Sequence, residues 1–267
     1  MPLFTSDPMP SAGSTDDAPA PTGHVAEVAP APMAAGALVR REYGPAGHYL
    51  LTGRALRRLR DAQQLVEKRL RAAAVRRTHL PVLVPPVLVA PVEALLAPGL
   101  RRTAVTTHDS ERPKGWYPTA GLCLRGLPLV AKQRFSWREL PVGYWTSGPA
   151  VAPVATAGPD AEDQVCADGL LAQPQERPTD PAAVIGELLD ALGVPTEPAA
   201  EPWALTGDAL VWRHKGRVTA SVQDLPADAA KRYGACYMDT DNRLQPLAVS
   251  FFHISQYALL RGTEDLR

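Results

Sequence analysis

From Gly53 to Arg77 the positions Leu56, Leu59, Gln63, Val66, Leu70 and Ala73 recur at three-and-four spacing, all but one of them apolar. Arg57, Arg60, Lys68, Arg71 and further basic residues surround this stripe. The pattern predicts an amphipathic, strongly basic helix. His79–Ala90 (HLPVLVPPVLVA) follows, a β-branched run broken by Pro81, Pro85 and Pro86. Each proline lacks the N–H that a central strand donates, so an edge strand or an irregular interface strand is expected. Pro91–Ala97 suits a short helix with proline in its first turn.

Trp116–Gly126, Leu129–Arg134 and Val142–Ser147 read as short strand-like segments separated by Gly and Pro. Asp180 followed by Pro181, the apolar positions Val184, Ile185, Leu188, Leu189 and Leu192, and then Gly193 carries every helix signal from N-cap to terminal glycine. Beyond it, Ala209–His214, Arg217–Val222 and Gly234–Met238 read as strands, Asp239–Asn242 as a turn, and Leu247–Leu260 as strand into helix. Strands in quick succession with interposed helices predict an α+β fold with a mainly antiparallel sheet flanked by helices.

Two stretches show no period. Residues 1–36 are mostly Ala, Pro, Ser, Gly and Asp, too poor in branched and aromatic side chains to offset the entropy of ordering, and a disordered tail is expected there. Residues 37–267 then form the core domain, and residues 148–178 are expected to be a long loop within it.

Composition narrows the function. The 267 residues carry 28 Lys plus Arg against 28 Asp plus Glu, so net charge points to neither nucleic acid nor a membrane surface. No apolar run reaches the roughly 18 to 20 residues of a membrane span, and a soluble, cytoplasmic protein is expected. Cys123, Cys166 and Cys236 stand far apart, which excludes a disulfide framework and any CxxC-type zinc module.

The order of segments resembles the catalytic core of class II aminoacyl-tRNA synthetases, nearest to seryl-tRNA synthetases and the related amino-acid:carrier-protein ligases. Tyr49-Leu50-Leu51-Thr52-Gly53 with Ala55-Leu56 looks like the family's entry into its first helix. The basic helix and HLPVLVPPVLV are similar to the first signature motif, which implies a homodimer through residues 54–90. Tyr117-Pro118-Thr119-Ala120 matches the amino-acid-binding loop. Glu139-Leu140-Pro141-Val142-Gly143-Tyr144 leads into the second motif, Leu205-Thr206-Gly207-Asp208 resembles a TGD turn, and Arg232–Asp239 resembles the strand before the third motif.

Departures from the family pattern are as informative. After Tyr144-Trp145-Thr146, where the resemblance implies an arginine on the α-phosphate, the chain reads Ser147-Gly148-Pro149-Ala150. The Gly-rich turn and arginine of the third motif are replaced by Phe251–Leu260, with Arg261 the nearest cation. Gly121 stands where a glutamate would hold the amino group, and Gln173-Pro174-Gln175-Glu176 replaces the purine-contacting segment. Both missing arginines would neutralise charge built up in adenylate formation.

The sequence therefore predicts a synthetase-like protein without ATP activation: an aminoacyl transferase that moves the aminoacyl group of a charged tRNA to a small acceptor, without cofactor or metal. The alternatives are a non-catalytic paralogue that binds tRNA, an amino acid or a partner synthetase, and an ATP-dependent ligase with relocated arginines such as Arg134, Arg138 or Arg213. The expected catalytic residues are His253 and Tyr257, four apart and on one face if that segment is helical, as general base and hydrogen-bond donor. Thr119, Tyr117, Trp145 and Arg134 are the expected substrate-binding residues. Cys123 falls in the loop where zinc-dependent relatives place a thiolate, and is expected to be a small buried hydrophobe instead. The basic helix is expected to solvate an exposed face, with contact to RNA phosphates as the second reading.

Overall fold

The computed structural model describes residues 53–79, 83–84, 105–107, 114–118, 126–149, 165–202 and 208–260. Expectations for the tail, for Pro91–Ala97 and for the loop holding Thr119 and Cys123 fall outside these residues. In chain order the described elements begin with α1 (Gly53–Ala72), β1 (Val75–Arg77), β2 (Leu83–Val84), β3 (Val105–Thr107) and β4 (Lys114–Pro118). Next come α2 (Leu127–Val130), β5 (Arg134–Ser136), β6 (Val142–Pro149), β7 (Val165–Gln173) and α3 (Pro181–Leu192). The chain continues through β8 (Pro198–Pro202), β9 (Asp208–His214), β10 (Arg217–Asp224), α4 (Ala227–Arg232), β11 (Cys236–Met238), β12 (Leu244–Pro246), β13 (Ala248–Ile254) and α5 (Gln256–Leu259).

A seven-stranded sheet in the order β1-β6-β7-β13-β10-β9-β8 dominates the structure. Only β1 runs parallel to its neighbour; every other pair in it is antiparallel. Two three-stranded sheets, β12-β11-β5 and β2-β4-β3, complete the described strands. Side chains alternate between the faces of a strand, so register assigns each residue to one side of the large sheet. Its back face carries Trp145, Ala167, Leu171, Phe252, Ile254, Val222 and Trp212, packed with α1, α3 and α5 into one core. On the front, Val142, Leu170, Ala172, Val249 and Phe251 pack with α2 and α4 into a second core.

The local signals of α3 are realised in full. Asp180 accepts the Ala182 N–H at 2.9 Å, Pro181 opens the helix, and Gly193 closes it at φ 77°, where an L side chain would be strained. Val194 N–H then donates to Leu189 O at 3.0 Å, capping the last turn. Asp180→Ala is expected to lower stability by about 1 kcal/mol, read as a lower urea midpoint at unchanged slope.

The structure revises three local readings. Helix α1 stops at Ala72, the chain turns through Ala74 at φ 60°, and Val75–Arg77 becomes the edge strand β1 beside β6. Its buried stripe is Ala55, Leu59, Ala62, Val66 and Leu70, with Leu56 and Gln63 at its margin. Alanines let the helix approach the sheet, and Gln63 reaches from the margin to donate to Ser147 Oγ at 2.8 Å. Residues expected as a strand at Leu129–Arg134 instead form α2 and the start of β5, because Pro128 sits where a first helical turn needs no N–H.

The largest revision lies in residues 148–178. Instead of one loop, β6 extends to Pro149 and Val165–Gln173 forms β7, an inner strand of the sheet. Every residue of β7 after Val165 is buried, so the two-residue alternation that marks a half-exposed strand is missing.

Candidate active site

Cys166 and Asp168 alternate along β7 and both face the front of the sheet. His253 on β13 pairs in register with Asp168, so the same face receives its imidazole. His253 Nδ1 lies 2.7 Å from Asp168 Oδ1, and the Cys166 thiol donates to Asp168 Oδ2 at 3.0 Å. All three are buried, with Asp168 at 1% and His253 at 8% exposure.

Register extends this cluster into a row. Thr146 on β6 stands opposite Asp168, and Ser221 on β10 stands opposite His253. Thr146, Asp168, His253 and Ser221 thus cross four adjacent strands as a continuous polar line, all buried. Beside them the front face is apolar, with Leu170 and Phe251 two residues further along β7 and back along β13. Polar side chains in such a place cost free energy unless they satisfy one another.

The electrostatics assign the protons. Burial and then the negative charge of Asp168 push the Cys166 thiol up to about 12, so at neutral pH sulfur keeps its hydrogen and donates it. A carboxylate accepts at both oxygens, so His253 turns an Nδ1–H toward Asp168, and the charge and hydrogen bond of His253 pull the Cys166 thiol down against those larger effects. Asp168 therefore holds the His253 imidazole with one oxygen and accepts from the Cys166 thiol with the other. From β6 through β7, residues 142–173, the sequence contains no Lys or Arg. Nor does β13 carry one.

The other expected site residues that are described lie on separate elements. Tyr257 is not on a shared helical face with His253: β13 runs through Ile254, Ser255 caps α5 by accepting the Ala258 N–H at 3.2 Å, and Tyr257 sits in the first turn. Its ring lies 6.1 Å from that of His214 and 5.0 Å below the Arg217 guanidinium. The segment stays extended through Phe251, Phe252 and Ile254 because β13 is an inner strand, paired on both sides. Trp145 is fully buried in the back-face core, under the Arg77 guanidinium at 5.4 Å, on the opposite face of the sheet from His253.

Arg134 is exposed on β5, in the small sheet with β11 and β12. Tyr117 lies on β4, in the other small sheet, and Thr119 lies beyond the described residues. Of the other arginines considered for ATP, Arg138 stacks at 5.3 Å over Trp137, and Arg213 makes a bidentate pair with Glu201, Nε to Oε1 and Nη2 to Oε2, both at 3.0 Å. Sequence reasoning missed Asp168 and Cys166. The available signal was a single carboxylate inside the otherwise apolar run Val165–Ala172, which a buried strand tolerates only with partners.

The sequence matches no protein-family model and no curated protein. The fold does have solved neighbours. It is similar to prolyl-tRNA synthetase of Giardia lamblia, solved with prolyl-adenylate, at a TM-score of 0.68 and 13% identity over 83% of this chain and 48% of that one. Prolyl-tRNA synthetase from Cryptosporidium parvum, solved with halofuginone and AMPPNP, is similar at a TM-score of 0.63 and 14% identity over 82% and 48%. The chain thus spans about half the length of these neighbours. No described helix is long and apolar enough to cross a membrane. At such low identity the likeness is one of architecture: the chain has the class II aminoacyl-tRNA synthetase-like fold, α+β with a mostly antiparallel sheet.

Proposed function

We propose that this protein handles an aminoacyl group without activating it with ATP, taking it from an ester of the aminoacyl-tRNA type and passing it to a small acceptor. The observation that carries this reading is the buried Asp168–His253 pair, set opposite each other where β7 and β13 meet in the large sheet. A triphosphate needs positive charge, and a buried carboxylate opposes it. Transfer from an existing ester needs only a held acceptor and a base. His253 Nε2 takes the proton of the acceptor's amine or hydroxyl as that group attacks the ester carbonyl. The carbonyl–oxygen ester bond breaks, and the same proton passes to the departing ribose oxygen. Asp168 stabilises the imidazolium in between. Tyr117-Pro118-Thr119-Ala120 favours a seryl group, whereas the solved neighbours bring prolyl into the panel to be tested.

The experiment follows deacylation of a panel of labelled aminoacyl-tRNAs, seryl and prolyl among them, with amino-acid and amine acceptors. One of them is expected to give an acceptor adduct, and His253→Gln to slow its formation by about 100-fold with an unchanged circular dichroism spectrum. Pyrophosphate exchange with ATP and any amino acid, above a no-enzyme control, would overturn the reading. Binding of an aminoacyl-tRNA without any transfer would establish the non-catalytic alternative.

A further inference from the structure

Charge is sharply segregated around helix α1. Residues 53–79 carry nine Lys plus Arg and two acidic residues, Asp61 and Glu67, in a protein whose 28 basic and 28 acidic side chains balance overall. At about 100° per residue, Arg57, Arg60, Gln64, Lys68 and Arg71 fall on one ridge of α1, and all five are exposed. Ala55, Leu59, Ala62, Val66 and Leu70 lie on the opposite side of the helix and are buried. We propose that this ridge is a docking surface for the phosphate backbone of RNA. The surface needs none of the chemistry on the large sheet; that the RNA belongs to an aminoacyl-tRNA donor rests on the transferase reading.

Dimensions and donor type fit a chain of phosphates. From Arg57 to Arg71 the ridge runs about 21 Å along the helix axis, and a duplex strand presents a phosphate roughly every 3.4 Å of its own axis, so several can be met at once. Arginine predominates, and its planar fork donates two parallel hydrogen bonds to phosphate oxygens. The ion pairs of this region gather at the C-terminal end of α1, where Glu67 holds Arg71 at 2.6 Å and Arg77 at 3.5 Å. Arg57, Arg60 and Lys68 stand ahead of that cluster or beside it.

Other occupants need features that the ridge lacks. Protein interfaces are built round an apolar centre and are poor in lysine, whereas the exposed large apolar side chains among the described residues, Trp137, Leu210 and Leu244, all lie off α1. A helix that lies in a membrane surface inserts its apolar face, and that face of α1 is buried in the back-face core. In a two-fold homodimer through the outer face of α1, the two basic ridges would oppose each other and repel. Backbone contacts to a nucleic acid ask only for positioned cations.

Fluorescence anisotropy of the full chain with labelled, uncharged tRNA, repeated between about 50 and 200 mM salt, tests the surface. Arg57→Gln, Arg60→Gln and Lys68→Gln combined are expected to weaken binding at least tenfold with an unchanged circular dichroism spectrum. The slope of log affinity against log salt should shrink by about 2 to 3, as the loss of three phosphate contacts requires. The charge-matched triple Lys231→Gln, Arg232→Gln and Arg243→Gln, on exposed positions of α4 and the β11–β12 turn, is expected to leave affinity within about twofold. No RNA binding by the parent, or equal losses in the two triple variants, would overturn the proposal. Tighter binding to a DNA duplex or to phosphatidylserine vesicles than to tRNA, or a dimer lost in the ridge variant, would assign the ridge to another occupant and overturn it too. A parent that binds RNA through the ridge yet transfers nothing would keep this surface and remove the transferase reading. A chain that transfers aminoacyl groups while the ridge variant binds like the parent would do the reverse.

Discussion

Gly169→Ala is expected to lower stability by about 3 kcal/mol, the upper end for overpacking a core. Gly169 lies in the middle of β7, between Trp145 of β6 and Phe252 of β13 in the register. A methyl group there would stand 2.1 Å from Phe252 Cζ and 2.6 Å from the Tyr144 carbonyl oxygen. Phe252 is itself packed in the back-face core, and the carbonyl belongs to the backbone of the neighbouring strand β6, which cannot give way without disturbing its pairing with β7. Gly186 provides the control: it lies inside α3 and a methyl there meets nothing within 4 Å. Gly186→Ala is expected to raise stability by roughly 0.5 to 1 kcal/mol through helix propensity. Urea unfolding of the two variants should move the midpoint in opposite directions. An unshifted midpoint for Gly169→Ala would contradict the packing of Phe252 across β7.

Asp168→Ala is expected to cost about 3 kcal/mol and to abolish the aminoacyl transfer proposed above. The His253 Nδ1–H and the Cys166 thiol share this one carboxylate, and each buried donor left unmet costs roughly 1 to 3 kcal/mol. The double replacement Asp168→Val with His253→Leu should behave differently. A buried polar pair exchanged for apolar residues of similar volume is often close to neutral, so the double variant, in which only the Cys166 thiol stays unmet, should lose clearly less than Asp168→Ala, about 1 kcal/mol. Denaturant curves of both variants, beside the transfer assay, separate the two roles. A stable and inactive double variant would show that the pair is kept for chemistry. A double variant as unstable as Asp168→Ala would assign the pair to holding β7 against β13.

The sequence by itself determined those elements whose signals are local. Helix α3 was legible because Asp180, Pro181 and Gly193 act on the backbone within a turn of their own positions. The hairpin of β9 and β10 and the turn after β11 were legible for the same reason: Asp239 accepts the N–H groups of Asp241 and Arg243, at 2.9 and 2.8 Å. The α+β class followed from the order of such segments, and the class II synthetase-like architecture from their likeness to a known series.

Tertiary structure decided the rest. Strand β7 left no period because its two faces are covered by different layers, and burial on both sides erases the alternation that reveals a strand. Trp145 and Tyr144 are adjacent in sequence, yet only the strand's handedness in the sheet sends Trp145 to the back. His253 stood out as a titratable residue in an apolar segment, but its partner Asp168 lies 85 residues away. No spacing rule connects two positions that meet only because β7 and β13 pair in one register, with Phe252 seated on Gly169. A shift of one residue would send His253 to the back face and Asp168 to a different neighbour. The candidate site is therefore a property of strand register, set by long-range packing, and the linear chain holds only its ingredients.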